Sequence, residues 1–218
     1  MNMPHIWMTR SLQPESGDLI LVDPATWISG IGIKLLSRGQ KRCYTYHAGI
    51  IADKSFPPNG ITVPQCLNVH WPRATVENLY SYLAAVKMNC GKYVIARPTW
   101  VTEAEPRQPE LVREWRKCID SMVEQYRGMS YPAWDIWVIL KRLTWLHKLF
   151  PFTGTRWEDY CIEAVSKIYK HNAARSWLPE IVKRQELPAS IHYEIAAAQG
   201  HFELVAEHPL GFWREITD

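Results

Sequence analysis

Segments with the character of β-strands are concentrated in the first half of this chain, and segments with helical periodicity dominate the second half. Short runs rich in β-branched and aromatic residues lie between Asp18 and Arg97, separated by glycine, proline and asparagine. From Glu110 onward, apolar residues recur every three or four positions. This segregation predicts an α+β fold in which a mainly antiparallel sheet packs against helices, rather than the alternating pattern of a doubly wound sheet.

The individual elements follow from the same patterns. The predicted strands are Asp18–Val22, Arg42–Ala52, Gln65–Trp71, Lys92–Arg97 and His201–Ala206. The predicted helices are Thr26–Leu36, Leu79–Met88, Glu110–Tyr126, Ala133–Leu149, Glu158–His171 and Ala189–Ala198. A length of 218 residues fits one domain with a well-buried core. We assign residues 1–16 to an N-terminal extension and residues 17–218 to a single domain, with a tryptophan-rich helical insertion around residues 134–156.

Composition and charge argue against several classes of function. The net charge is only +3 and no dense run of Lys and Arg is present, so we expect no nucleic-acid partner. The cysteines form no C-x-x-C pair, and no motif implies a metal or another cofactor; they are Cys43, Cys66, Cys90, Cys118 and Cys161. The N-terminus lacks the apolar core of a signal peptide, so we expect a cytoplasmic or phage-particle-associated protein.

Two local patterns carry the chemistry. His47 lies in an apolar strand beside Ala48 and Gly49, and we expect these small residues to leave space around its ring. Cys161 falls in the first turn of a predicted helix, where the free N–H groups and the helix dipole lower the pKa of a thiol. The same N–H groups can donate to the oxyanion that forms when a thiolate attacks a carbonyl. The pair therefore predicts a nucleophile, Cys161, and its base, His47.

Several short segments along the chain match one family in their order. They are Gly17–Leu21 (GDLIL), Tyr46–Ile50 (YHAGI), Gly91–Val94 (GKYV), Tyr126–Gly128 with Tyr131, Tyr160–Glu163 (YCIE), Leu187–Ser190 and Phe202–Val205. The chain resembles the circularly permuted NlpC-type papain-like cysteine hydrolases, which include the YiiX-like hydrolases and, more distantly, the lecithin retinol acyltransferase group. In papain the cysteine precedes the histidine, whereas in this branch, as here, the histidine strand comes first. The resemblance extends roughly from Gly17 to Glu207.

The resemblance implies a permuted papain-like fold and a third polar residue that orients the histidine. In the family this residue is commonly a Glu on the strand after the histidine strand, and the aligned residue here is Asn68. An amide oxygen can accept a hydrogen bond from the imidazole, as in Cys-His-Asn triads. His70 is the alternative, because residues two apart on a strand point the same way. The chain departs from the family at Tyr46 and Ile162, where the family often has Ser.

The resemblance further implies cleavage of amide or ester bonds in a peptide or an acylated small molecule, with cell-wall peptides as one candidate. Acyl transfer to a lipid or an amine is an alternative, and so is a non-catalytic structural or assembly protein, for instance of a phage particle. The segment Trp134–Phe150 is interrupted by Lys141 and Arg142 and is too short between charges to span a bilayer. We expect it to form a lid, a membrane contact or a protein contact, with core packing as the alternative. The oligomeric state is not predicted.

Overall fold

The computed structural model describes residues 13–23, 44–45, 47–56, 61–70, 73–130, 161–170 and 191–218. The predicted helices Thr26–Leu36 and Ala133–Leu149, and with them the tryptophan-rich insertion, lie outside the described residues. Within the described ranges, no helix is both long enough and apolar enough to cross a membrane.

Six strands form one sheet in the described part of the chain, and every neighbouring pair is antiparallel. They are β1 (Leu19–Asp23), β2 (His47–Phe56), β3 (Ile61–His70), β4 (Arg73–Asn78), β5 (Lys92–Pro98) and β6 (Phe202–His208). Their order across the sheet is β4-β3-β2-β1-β5-β6. The prediction of an α+β fold with an antiparallel sheet is confirmed. Strand β4 was not predicted, and β2 continues past its predicted end because its charged residues pair with β3.

The described helices are α1 (Leu79–Met88), α2 (Thr99–Ala104), α3 (Pro109–Tyr126), α4 (Cys161–Lys170), α5 (Ile191–Ala198) and α6 (Phe212–Thr217). Helix α1 has the predicted bounds, because the Asn78 side chain accepts a hydrogen bond from the Ser81 N–H at 3.1 Å and caps it. Helix α3 begins at Pro109, a residue that suits the first helical position. Its apolar positions turn one face of the helix toward the sheet; they are Val112, Trp115, Ile119, Val123 and Tyr126.

Alternation along the strands divides the core into two clusters. In β1, Leu19 and Leu21 belong to a large cluster on one face of the sheet, and Ile20 and Val22 belong to a smaller cluster on the other face. Residues of α3, α4, α5 and α6 contribute to the large cluster. Helix α1 contributes to the smaller one. The described helices from residue 109 onward therefore share one face of the sheet.

The backbone at Gly17 is the contact point of one strand and two helices. Its φ of +93° is one that glycine adopts without strain. Its N–H donates to the Ile51 carbonyl at 2.9 Å, and its carbonyl accepts from the Tyr169 hydroxyl at 2.8 Å. The Trp115 ring lies where a Cβ would stand on Gly17. Strand β2, helix α3 and helix α4 therefore meet at one residue that has no side chain.

Asp18, the next residue, forms a buried ion pair with Arg97 of β5. The two carboxylate oxygens each accept a hydrogen bond at 2.9 Å, and the two residues are 2% and 3% exposed. Burial raises the pKa of Asp18 to about 6, against the lowering by Arg97. Arg97 also donates to the Gln13 carbonyl at 2.9 Å. This ion pair holds the chain before β1 against the neighbouring strand β5.

We predict that Gly17→Ala lowers the free energy of unfolding by about 2–5 kcal/mol, since it combines a strained backbone with overlap on the Trp115 ring. Chemical denaturation measures this change. Gly128→Ala is the matched control: its φ is +79° and nothing lies within 4 Å of an added Cβ. We expect only the backbone cost there, about 1–2 kcal/mol. Equal losses in the two variants would contradict the packing at Gly17.

Candidate active site

The helix that carries Cys161 packs on the strand that carries His47. Cys161 is the first described residue of α4 and His47 is the first described residue of β2, and the residues directly before them lie outside the described ranges. Helix α4 contacts β2 and also β3. Buried residues of α4, among them Ala164 and Ile168, share the large cluster with Ile50 of β2. The two elements that the sequence assigns to catalysis are therefore neighbours, although they are far apart along the chain.

The C-terminal end of α4 is tied to β2 through Gly17. The Tyr169 hydroxyl donates to the Gly17 carbonyl, and the Gly17 N–H donates to the Ile51 carbonyl of β2. One residue outside both elements therefore bonds to each of them, which adds to the direct contact between α4 and β2.

The register of β2 assigns His47 to one face of the sheet. His47 is directly opposite Val22, and Ala48 is directly opposite Leu21. Directly opposed residues on antiparallel strands share a face. Since Val22 belongs to the smaller cluster, His47 lies on the face opposite to the one that α4 covers. The His47 side chain is half-buried and its Nε2 atom is shielded from solvent. The described residues therefore show no Cys161–His47 contact, and such a contact would have to form around the end of β2.

The two candidates for the orienting residue lie on β3. Ile51 pairs with Cys66 and Ile50 with Leu67, and this register, continued, sets Asn68 beside Gly49 and His70 beside His47. Asn68 is 8% exposed. By alternation it shares a face with Cys66, which belongs to the smaller cluster, and so with His47. The side chains of His70 and Cys161 lie outside the described part of the structure. The choice between Asn68 and His70 stays open.

Gly49, one of the two small residues beside the histidine, lies against the backbone of β3. A Cβ on Gly49 would lie 2.7 Å from the carbonyl oxygen of Leu67. The position that a side chain would take at Gly49 is therefore filled by β3, while open space around the His47 ring stays a prediction. The strand needs glycine here because its neighbour comes unusually close.

The described thiols differ sharply in their environment. Cys66 is buried, and burial together with the negative charge of Glu77 raises the pKa of its thiol to about 12. Cys118 is half-buried and Cys90 is exposed. Because the thiolate is the nucleophile, Cys66 is unsuited to catalysis at neutral pH. No group of three or more His, Cys, Asp or Glu able to hold a metal ion occurs among the described residues.

A buried carboxylate lies next to the chain that leads into His47, and the sequence reasoning missed it. Oε1 of Glu194, in α5, accepts from the Thr45 N–H at 2.7 Å and from the Thr45 hydroxyl at 2.5 Å. Oε2 accepts from the Tyr44 N–H at 3.3 Å. Glu194 is 5% exposed. The available signal was a single acidic residue inside an otherwise apolar helix (IHYEIAAA).

We predict that a neutral alkylating reagent modifies Cys90 of the native protein at pH 7 and leaves Cys66 unmodified. The exposed thiol reacts, whereas Cys66 is inaccessible and its raised pKa keeps it protonated. Peptide mass spectrometry locates the modified residues. Unfolding in denaturant is the control and should make Cys66 reactive. Modification of native Cys66 as fast as Cys90 would contradict the packing on the α1 side of the sheet.

The whole chain was also compared with known proteins. No family model matches it, and no curated protein matches it. The resemblance to the permuted NlpC-type hydrolases therefore rests on the short sequence motifs.

Proposed function

We propose that this protein is a thiol hydrolase of the permuted NlpC type, which cleaves amide or ester bonds through an acyl-enzyme on Cys161. The observation that carries the proposal is the packing of α4, which contains Cys161, on β2, which contains His47. The hydrogen bonds that tie both elements to Gly17 support it further. The antiparallel sheet with helices of the C-terminal half on one face is compatible with the papain-like fold.

The proposed reaction has two halves. The Cys161 thiolate adds to the substrate carbonyl carbon, and the backbone N–H of Cys161 stabilises the oxyanion. The imidazolium of His47 gives its proton to the leaving amine or alcohol as the bond to the carbonyl carbon breaks. His47 then removes a proton from water, which attacks the thioester and releases the carboxylic acid and the thiolate. Asn68 or His70 holds the imidazole in the required orientation.

The substrate class follows from the resemblance and belongs to the proposal. We propose peptides, cell-wall peptides first, or acylated small molecules. Acyl transfer to a lipid or an amine would use the same Cys161 and His47 and differ only in the acceptor that replaces water.

A non-catalytic structural or assembly protein that keeps the fold is the second candidate. The face on which His47 lies favours it, because α4 covers the opposite face of β2. A histidine in an apolar strand serves packing when no thiol reaches it. In that case the sheet and its helices would present surfaces to a partner, and no residue would need to react.

We predict that a thiol-directed acyl probe labels Cys161 at pH 7. The exposed Cys90 is first replaced by Ser, so that its thiol does not contribute. In this background Cys161→Ala should abolish the labelling, whereas Cys66→Ala and Cys118→Ala should keep it. His47→Ala should slow it about 100-fold or more, because it removes the base. Mass spectrometry of the labelled peptide identifies the modified residue, and labelling that is quenched at a series of times gives the rate.

The same series separates the two candidates. Absence of labelling in the Cys90→Ser protein, when that protein unfolds with wild-type cooperativity, would contradict the hydrolase. Labelling that is unchanged by both Cys161→Ala and His47→Ala would contradict it as well. The structural candidate predicts that the native protein is not labelled and that native mass measurement finds a stable complex.

A further inference from the structure

We propose that Glu194 is a positioning residue of the Cys161–His47 site. Its carboxylate fixes the chain that leads into β2 and thereby holds the His47 imidazole where the thiol can use it. The inference rests on the proposed function, since it assigns a role to a residue that touches neither substrate nor the reacting atoms.

The first observation is the bonding of Glu194 to residues 44 and 45. One carboxylate accepts three hydrogen bonds, two from Thr45 and one from the Tyr44 N–H. Thr45 is fully buried and Glu194 is 5% exposed. The backbone two residues before His47 is therefore held by a buried carboxyl group on another element.

The second observation concerns Tyr193, the residue next to Glu194 on α5. Its hydroxyl lies 3.1 Å from the Ser166 hydroxyl of α4, and both side chains are buried. Its ring also packs edge-on against the Tyr169 ring, with centroids 6.2 Å apart. Adjacent residues of α5 thus hold the helix that begins at Cys161 and the chain that enters β2 at His47. Helix α5 sets the position of one relative to the other.

The rate of a reaction between Cys161 and His47 depends more on their relative position than on the stability of the whole fold, because the two must meet around the end of β2. A misplacement of about 1 Å can lower a catalysed rate about 100-fold. In Glu194→Gln the amide oxygen can still accept from Thr45, but its NH2 group then faces the Tyr44 N–H, donor against donor. The volume of the side chain is kept, whereas the hydrogen bond from the Tyr44 N–H is lost.

The test is the pH profile of acyl-probe labelling of Cys161, measured in the Cys90→Ser protein. We expect Glu194→Gln to slow labelling at pH 7 about 10-fold or more. We also expect the midpoint of the profile to move to higher pH, because a displaced imidazolium no longer stabilises the thiolate. Thr45→Val removes one donor and should shift the profile in the same direction, while Thr45→Ser keeps both donors and should restore it.

Glu207→Gln is the matched control. The Glu207 carboxylate accepts from the Gly211 N–H at 3.0 Å and from the Trp213 N–H at 2.7 Å. Like Glu194, it therefore holds backbone N–H groups of another segment, here at the start of α6. We expect it to leave the labelling profile unchanged. Denaturant unfolding of each variant reports its stability. If Glu194→Gln does not fold, Thr45→Val is judged by the same criteria.

The outcomes distinguish this inference from the proposed function. If labelling of the parent protein depends on His47 while Glu194→Gln and Thr45→Val keep its profile, Glu194 is not a positioning residue. A loss of rate without a shift of the profile, matched in Glu207→Gln, also overturns it. If parent labelling does not depend on His47, the proposed function fails and this inference falls with it.

Discussion

The junction of Gly17 and Asp18 is the constraint on which the rest of this structure depends. Gly17 bonds to β2 and to the Tyr169 hydroxyl of α4, and it leaves room for the Trp115 ring of α3. Asp18 forms a buried ion pair with Arg97 of β5. A side chain at the first residue or a neutral side chain at the second would disturb several elements at once. The buried ion pair also explains why a charge is tolerated here, because each partner satisfies the other.

The same junction ties together the two elements of the candidate site. The Tyr169 hydroxyl of α4 and the Ile51 carbonyl of β2 are both bonded to Gly17. The register of β2 places His47 on the same face of the sheet as Val22, which is not the face that α4 covers. The thiol of Cys161 and the imidazole of His47 would accordingly have to meet at the end of β2. Helix α5 contacts both α4, through Tyr193, and the chain before β2, through Glu194.

Local patterns predicted the fold class and many of the elements. Leu79–Met88 is set by its Asn78 cap, and the helix up to Tyr126 by its apolar period. Strand Arg73–Asn78 escaped prediction because it is short, and pairing with β3 is what makes it a strand. The face of His47 and the role of Glu194 could not be read from the sequence either. Both depend on pairing and packing between distant segments, and a single sequence does not specify a register.

The central claim is that the thiol of Cys161 and the imidazole of His47 meet, and the pKa of His47 tests it most directly. A neighbouring thiolate stabilises the imidazolium and raises its pKa. The measurement is an NMR titration of His47 in the parent protein and in Cys161→Ala. The account predicts that removing the thiol lowers the His47 pKa by about one unit or more, roughly 1.4 kcal/mol of lost interaction. An identical titration of His47 in both proteins would contradict it.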